Sequence, residues 1–203
     1  MLILSACANL SPGTSGTAPY DRKQSSMVDR ETAMIDAQLN SMQRLERDLA
    51  GVSTQGAHAV GHFKDATLRK ATVEQYGESY KASSRFYFST SRELIFVAET
   101  EERYDRPFDV PGAQVNQRIE RVYYYETGHA PLVREDGRDV DAMRSERLGA
   151  STSSFAKVLS RQLMADYIQA NPSFQSRITT FTYDGAGNVL MLPSSAAAPS
   201  GSK

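Results

Sequence analysis

Lys81-Ala82-Ser83-Ser84-Arg85-Phe86-Tyr87-Phe88-Ser89-Thr90-Ser91-Arg92-Glu93-Leu94-Ile95-Phe96-Val97-Ala98-Glu99-Thr100-Glu101-Glu102-Arg103 is the stretch that decides the fold. Residues 81–88 and 93–103 are rich in aromatic and β-branched side chains with polar ones interspersed, which is the composition of strands. Only Ser89-Thr90-Ser91-Arg92 separates them. A parallel partner would need a crossover of a dozen or more residues, so the two runs pair antiparallel through a hairpin turn.

The same texture extends outward. Upstream, residues 66–76 read as a strand that turns at Gly77-Glu78. Downstream, a loop from Tyr104-Asp105-Arg106-Pro107 to Pro111-Gly112 leads into a strand at residues 117–126. Thr127-Gly128 then turns into a short strand at 131–134, and Asp136-Gly137 is another turn. The sum is an antiparallel meander. Two helical patterns flank it. In residues 26–50, Met27, Ile35, Leu39, Met42, Leu45 and Leu49 recur at helical steps, with Gly51 as the stop. In residues 152–170, Phe155, Leu159, Leu163 and Tyr167 form a stripe with Val158 and Ile168 beside it, and Asn171-Pro172 ends it. Residues 177–183 and 189–192 read as a last hairpin across Asp184-Gly185-Ala186-Gly187-Asn188. The fold class expected is α+β: a β-meander packed by an N-terminal and a C-terminal helix, both on one sheet face. Residues 26–192 form the domain, and 193–203, rich in Ala, Pro, Ser and Gly, form a disordered tail.

Composition narrows the function classes. The 203 residues hold 23 basic and 24 acidic side chains, a net charge of −1, which argues against a nucleic-acid partner. No apolar run is long enough for a transmembrane helix. The one cysteine, Cys7, admits no intramolecular disulfide and no multi-cysteine metal site.

Cys7 closes the segment Met1-Leu2-Ile3-Leu4-Ser5-Ala6-Cys7, an apolar run ending in small residues. This segment resembles the end of a bacterial lipoprotein signal peptide, in which cleavage before Cys leaves it as the lipidated N-terminus. The basic region and full apolar stretch of a signal peptide are cut short here, so an upstream start is expected. Residues 8–25 include Ser11-Pro12-Gly13-Thr14-Ser15-Gly16-Thr17-Ala18-Pro19, the composition of a flexible tether. Ala8 after Cys7 implies, by the same resemblance, sorting to the outer membrane facing the periplasm.

Within the body, Tyr76-Gly77-Glu78-Ser79, Phe86-Tyr87-Phe88, Leu94-Ile95-Phe96-Val97, Glu101-Glu102-Arg103-Tyr104-Asp105-Arg106-Pro107 and Tyr123-Tyr124-Tyr125-Glu126 resemble a group of uncharacterised Gram-negative lipoproteins. That likeness covers about a third of the chain. It implies an extracytoplasmic antiparallel sheet and no activity. Asp184-Gly185-Ala186-Gly187-Asn188 resembles the turn of tyrosine–aspartate wall-associated repeats, but in a single copy it reads as a Gly-rich hairpin turn.

Four groups could carry chemistry. His58 and His62 have the spacing of helical metal ligands, but Gly56 and Gly61 disfavour a helix, so they read as loop histidines. Glu99, Glu101 and Glu102 sit together on an expected strand, where Glu99 and Glu101 would share one face with Arg103 beyond. Paired carboxylates can do acid–base work if one is desolvated, yet such runs are more often solvated faces. Asp136, Asp139 and Asp141 are an acidic cluster without a calcium-loop pattern. Tyr123, Tyr124 and Tyr125 put aromatic rings on both faces of one strand, one of which could meet a partner. No nucleophile elbow and no phosphate-binding Gly loop occurs. The expectation is therefore no catalytic residue, no cofactor and no metal, with lipidated Cys7 as the one site residue. The leading role is a membrane-anchored envelope protein that binds an envelope partner or serves structurally. An inhibitor or immunity-type lipoprotein using residues 101–109 as a plug, and an enzyme with a dispersed site around Glu99 and Glu101, are the alternatives.

Overall fold

A computed structural model describes residues 22–175, 178–183 and 189–193 of the chain, with side chains for residues 25–173. Cys7, residues 8–21, the turn 184–188 and the tail from 194 lie outside the described residues. The fold is α+β. An eight-stranded sheet runs in unbroken sequence order: β1 (Gln43–Leu49), β2 (Ala57–Lys64), β3 (Thr67–Tyr76), β4 (Tyr80–Phe88), β5 (Leu94–Tyr104), β6 (Val115–Tyr124), β7 (Leu132–Glu135) and β8 (Arg138–Asp139). Every neighbouring pair is antiparallel. Helix α1 (Arg22–Ala37) precedes the sheet, and α2 (Ala142–Ala170) follows it. A one-turn α3 (Pro172–Gln175) then leads to a separate hairpin of β9 (Ile178–Tyr183) and β10 (Val189–Pro193).

The structure corrects the helix expected over 26–50. It ends at Ala37, and after a 3₁₀ turn at Leu39–Ser41 the chain becomes edge strand β1. The cause is an ambiguity of spacing. Leu45 and Leu49 are four apart, which suits a helix stripe, but four is also even, so both lie on one face of a strand. Leu49 is buried and Leu45 packs beside it, while Arg44, Glu46 and Asp48 face outward. These charges, together with the Arg44–Glu46 pair, guard an open sheet edge. Met27, expected in the apolar stripe of α1, is 66% exposed.

The C-terminal helix begins ten residues earlier than expected. Asp141 caps it, its carboxylate accepting the Arg144 N–H at 2.9 Å. Leu159, Leu163, Met164, Tyr167 and Ile168 form its buried stripe, and Val158 lies outside it, exposed. At 29 residues the helix is about 43 Å long, enough to cross seven strands spaced about 4.8 Å apart. It makes that crossing. Near its start, the Ser145 hydroxyl donates to the Pro131 carbonyl at 2.6 Å and accepts the Val133 N–H at 3.1 Å. Near its end, Arg47 of β1 donates twice to Asp166 at 2.9 Å, and Phe63 of β2 stacks on Tyr167 at 4.5 Å. Two glycines permit the close approach. A side chain at Gly149 would overlap the Pro131 ring, and one at Gly61 would press on Leu163, 3.2 Å away.

The helices lie on opposite sheet faces, not on one. Alternation along β4 divides the core: Phe86 and Phe88 point to α2, and Tyr87 points to α1. On the α1 side, Tyr87, Phe96 and Tyr124 form a ladder across β4, β5 and β6, with centroids 5.7 and 5.1 Å apart. Acidic side chains of α1 clasp this face. Asp36 accepts from Lys70 at 2.7 Å and from the Tyr87 hydroxyl at 3.0 Å. Glu31 accepts from Arg69 at 3.1 Å, and Asp29 from the Tyr124 hydroxyl at 3.2 Å. The apolar contribution to α1 docking is small, centred on Ile35 beside Met42 and Tyr87.

Candidate functional site: a polar groove beside the crossing helix

Register places side chains in rows across the α2 face. Ala71, Phe86, Val97, Tyr123 and Val133 form one row, and α2 covers it. Two residues further along each strand, Val73, Ser84, Glu99, Arg121 and Glu135 form the next. Beyond that come Gln75, Ala82, Glu101 and Ile119, then Tyr80, Arg103 and Gln117. Strands of nine to eleven residues extend roughly 30–37 Å, whereas a helix is about 10–12 Å wide. One helix therefore leaves the outer rows bare. The result is a groove of about 830 Å³ between the flank of α2, at Ser151, Thr152 and Phe155, and the projecting ends of β3 to β6.

Glu99, Glu101 and Arg103 line the groove, and Arg121, Glu135 and Arg144 extend their ion-pair network beyond its lining. Arg121, with 14% of its side chain exposed, lies 3.1 Å from Glu99, 3.5 Å from Glu101 and 2.8 Å from Glu135. Arg144 of α2 donates to both oxygens of Glu135 at 2.8 Å, and Arg103 donates to Glu101 at 2.7 Å. Burial alone would lower the Arg121 pKa, but the Glu135 hydrogen bond and the charges of Glu99 and Glu135 outweigh it and raise it. Hydrogen bonds from Arg121 and Arg144 hold the Glu135 carboxyl below its usual range. The Tyr123 hydroxyl donates to Glu99 at 3.1 Å. Burial, reinforced by the Glu99 charge, pushes that phenol well up, so it remains a neutral donor.

Glu99, Glu101 and Arg103 share the groove face, and Glu102 points the other way, accepting from the Tyr104 hydroxyl at 3.2 Å. Arg121, Glu135 and Arg144, which complete the network, escape sequence reasoning because only register brings them together. His58 and His62 are not in a loop but on β2. The two histidines share one strand face, so their backbones stand about 13 Å apart, too far for one metal. His58 contacts Asp48 at 2.9 Å, and burial lowers the His62 pKa, with Lys70 and Arg44 adding to it. The three aspartates have separate tasks. Asp136 accepts the Glu120 N–H at 2.9 Å, Asp139 accepts from Arg134 at 3.0 Å, and Asp141 is the helix cap. Among the described residues no group of His, Cys, Asp and Glu could hold a metal ion.

The three tyrosines meet the chain's own helices. Tyr123 is buried against α2, Tyr124 reaches Asp29 of α1, and the Tyr125 hydroxyl donates to the Gly149 carbonyl at 3.0 Å. Residues 101–109 are half strand and half hairpin connection. Pairing of Asp105 with Gln114 closes the connection, and the Phe108 N–H donates to the Glu78 main-chain carbonyl at 3.2 Å. Lys81 lies 4.5 Å over the Phe108 ring and steadies it further. Comparison with family models, curated proteins and solved structures finds no match in any of the three.

Proposed function

We propose that the chain is a lipid-anchored protein of the cell envelope that works by binding a partner in the groove, and not by catalysis. The observation that carries this reading is the pairing of Glu99, Glu101 and Glu135 with Arg121, Arg103 and Arg144. A carboxylate working as acid, base or nucleophile must be free to reach its substrate, whereas these three are engaged by guanidiniums that fix their geometry. Such a network suits recognition, which gains from groups held in place before the ligand arrives.

The address rests on Leu4-Ser5-Ala6-Cys7 and the Pro/Gly-rich segment after it. Expressed from its own gene in its native host, the protein is expected in the outer-membrane fraction with an acylated Cys7, and Cys7→Ser is expected to abolish both. Recovery of unacylated wild-type protein would remove the anchor from this proposal. The binding role is tested by a photo-crosslinking residue at Gln117, an exposed residue of the groove lining. A defined envelope component should be captured there and not from Lys157, which is exposed and lies about 200° around α2 from Phe155. Equal capture from both positions, or none from either, would sink the reading. The pinned connection of residues 105–114 also supports an inhibitor-type role, because a rigid projection is preorganised to plug a cleft. A crosslinker at Asp109 reports on that alternative in the same experiment.

A further inference from the structure

We infer that the groove takes a neutral, hydroxyl-rich oligomer, an oligosaccharide chain lying along the strands; this rests on the binding role proposed above and names its ligand class. Charge is the first argument. The groove's own Glu99 and Glu101 are matched by Arg103, which also lines it, and by Arg121 beside it, so the charges cancel. An anionic or cationic ligand would have to break an existing pair to form its own. A neutral ligand would not, since charged groups keep free lone pairs and N–H donors at the groove surface after pairing.

The pattern of donors and acceptors is the second argument. The floor alternates acceptor-only Glu101, donor-only Arg103 and two-way Gln75 and Gln117, with Ser84 and Thr152 towards the helix. A hydroxyl both donates and accepts, so a chain of hydroxyls can satisfy such a floor at every step. Ring faces are the third. Tyr80 stands at the outer end of the groove and Phe155 at the helix end, offering apolar platforms to the C–H face of a sugar ring.

Rival ligands fit less well. An extended peptide gains its affinity from main-chain hydrogen bonds at a sheet edge, and this floor is a sheet face whose backbone groups are already paired. A compact apolar ligand needs a mainly apolar lining. The length also favours an oligomer. Tyr80 and Ser84, both lining the groove, are four residues apart on β4, about 13 Å.

The test titrates the full chain with chitotetraose, cellotetraose and maltotetraose, and with tetralysine and tetraglutamate, following backbone and side-chain amide NMR shifts. At least one neutral oligosaccharide should give saturable shifts at Gln75, Ala82, Glu101 and Gln117. Gln75→Ala with Gln117→Ala should weaken that binding by about tenfold, the loss of one or two hydrogen bonds. Should the double variant fold poorly, Gln117→Ala alone, at an exposed position, serves as the second readout. Shifts from the charged peptides alone, shifts mapping outside the groove, or none from any oligosaccharide would overturn the inference. If the Gln117 crosslinker still captures an envelope component in that case, the binding role stands and only the ligand class falls.

Discussion

Arg121→Met is expected to lower stability near neutrality by about 3 kcal/mol, and the deficit should shrink in acid. Arg121 sits among three carboxylates that are each about four-fifths shielded from solvent. Removing one partner of a largely buried ion pair costs about 3–5 kcal/mol, because the remaining charges lose their compensation. The lower end applies because Arg103 stays on Glu101 and Arg144 on Glu135. The pH dependence follows from the sign of the shifts. In the wild type, Glu135 has a depressed folded pKa, so its contribution is full above the unfolded value and is lost as pH falls through the folded one. In the variant, the charges of Glu99, Glu101 and Glu135 repel one another with less compensation, and protonation relieves that repulsion. Urea unfolding of both proteins from neutrality down through the carboxylate range measures the gap. A gap that stays constant or widens in acid would rule out this account.

Phe63→Ala should cost more, about 3–5 kcal/mol, with a fall in Tm of roughly 10 °C. Phe63 is 2% exposed, stacks on Tyr167 and touches the space above Gly61, so it joins β2 to the far end of α2. The cavity would open where Leu163 crosses Gly61, next to a backbone that cannot easily collapse inward. Thermal unfolding followed by circular dichroism reads the loss. A fall under about 3 °C would mean that α2 is held mainly by its start, at Ser145 and Gly149.

The centre of this fold was legible because its links are short. Ser89-Thr90-Ser91-Arg92 allowed only an antiparallel neighbour, and β4 pairs with β5 in that way. The first strands were not legible, for two physical reasons. Leu45 and Leu49 satisfy helical and strand spacing equally, so the period could not separate them. Residues 57–64 mix Ala, Gly and His with few strand-forming side chains, and their burial comes from α2, an element about a hundred residues later. The groove divides similarly. Glu99, Glu101 and Arg103 lie on one strand, where alternation alone puts them on one face. Arg121, Glu135 and Arg144 join them through register and a helix crossing, which no local pattern encodes.

The position of α1 has a mechanical consequence. With the anchor at Cys7 as proposed, any pull between membrane and domain enters at Arg22 and meets the clasps of Asp29, Glu31 and Asp36 before it loads a strand of the sheet. Side-chain pairs over a small apolar patch yield sooner than a backbone ladder. Released and drawn out, the 16 residues of α1 would span about 55 Å instead of the roughly 24 Å of the helix. The tether would lengthen by about 30 Å while the groove on the opposite face kept its shape. The helix would then act as a shock absorber in series with the anchor.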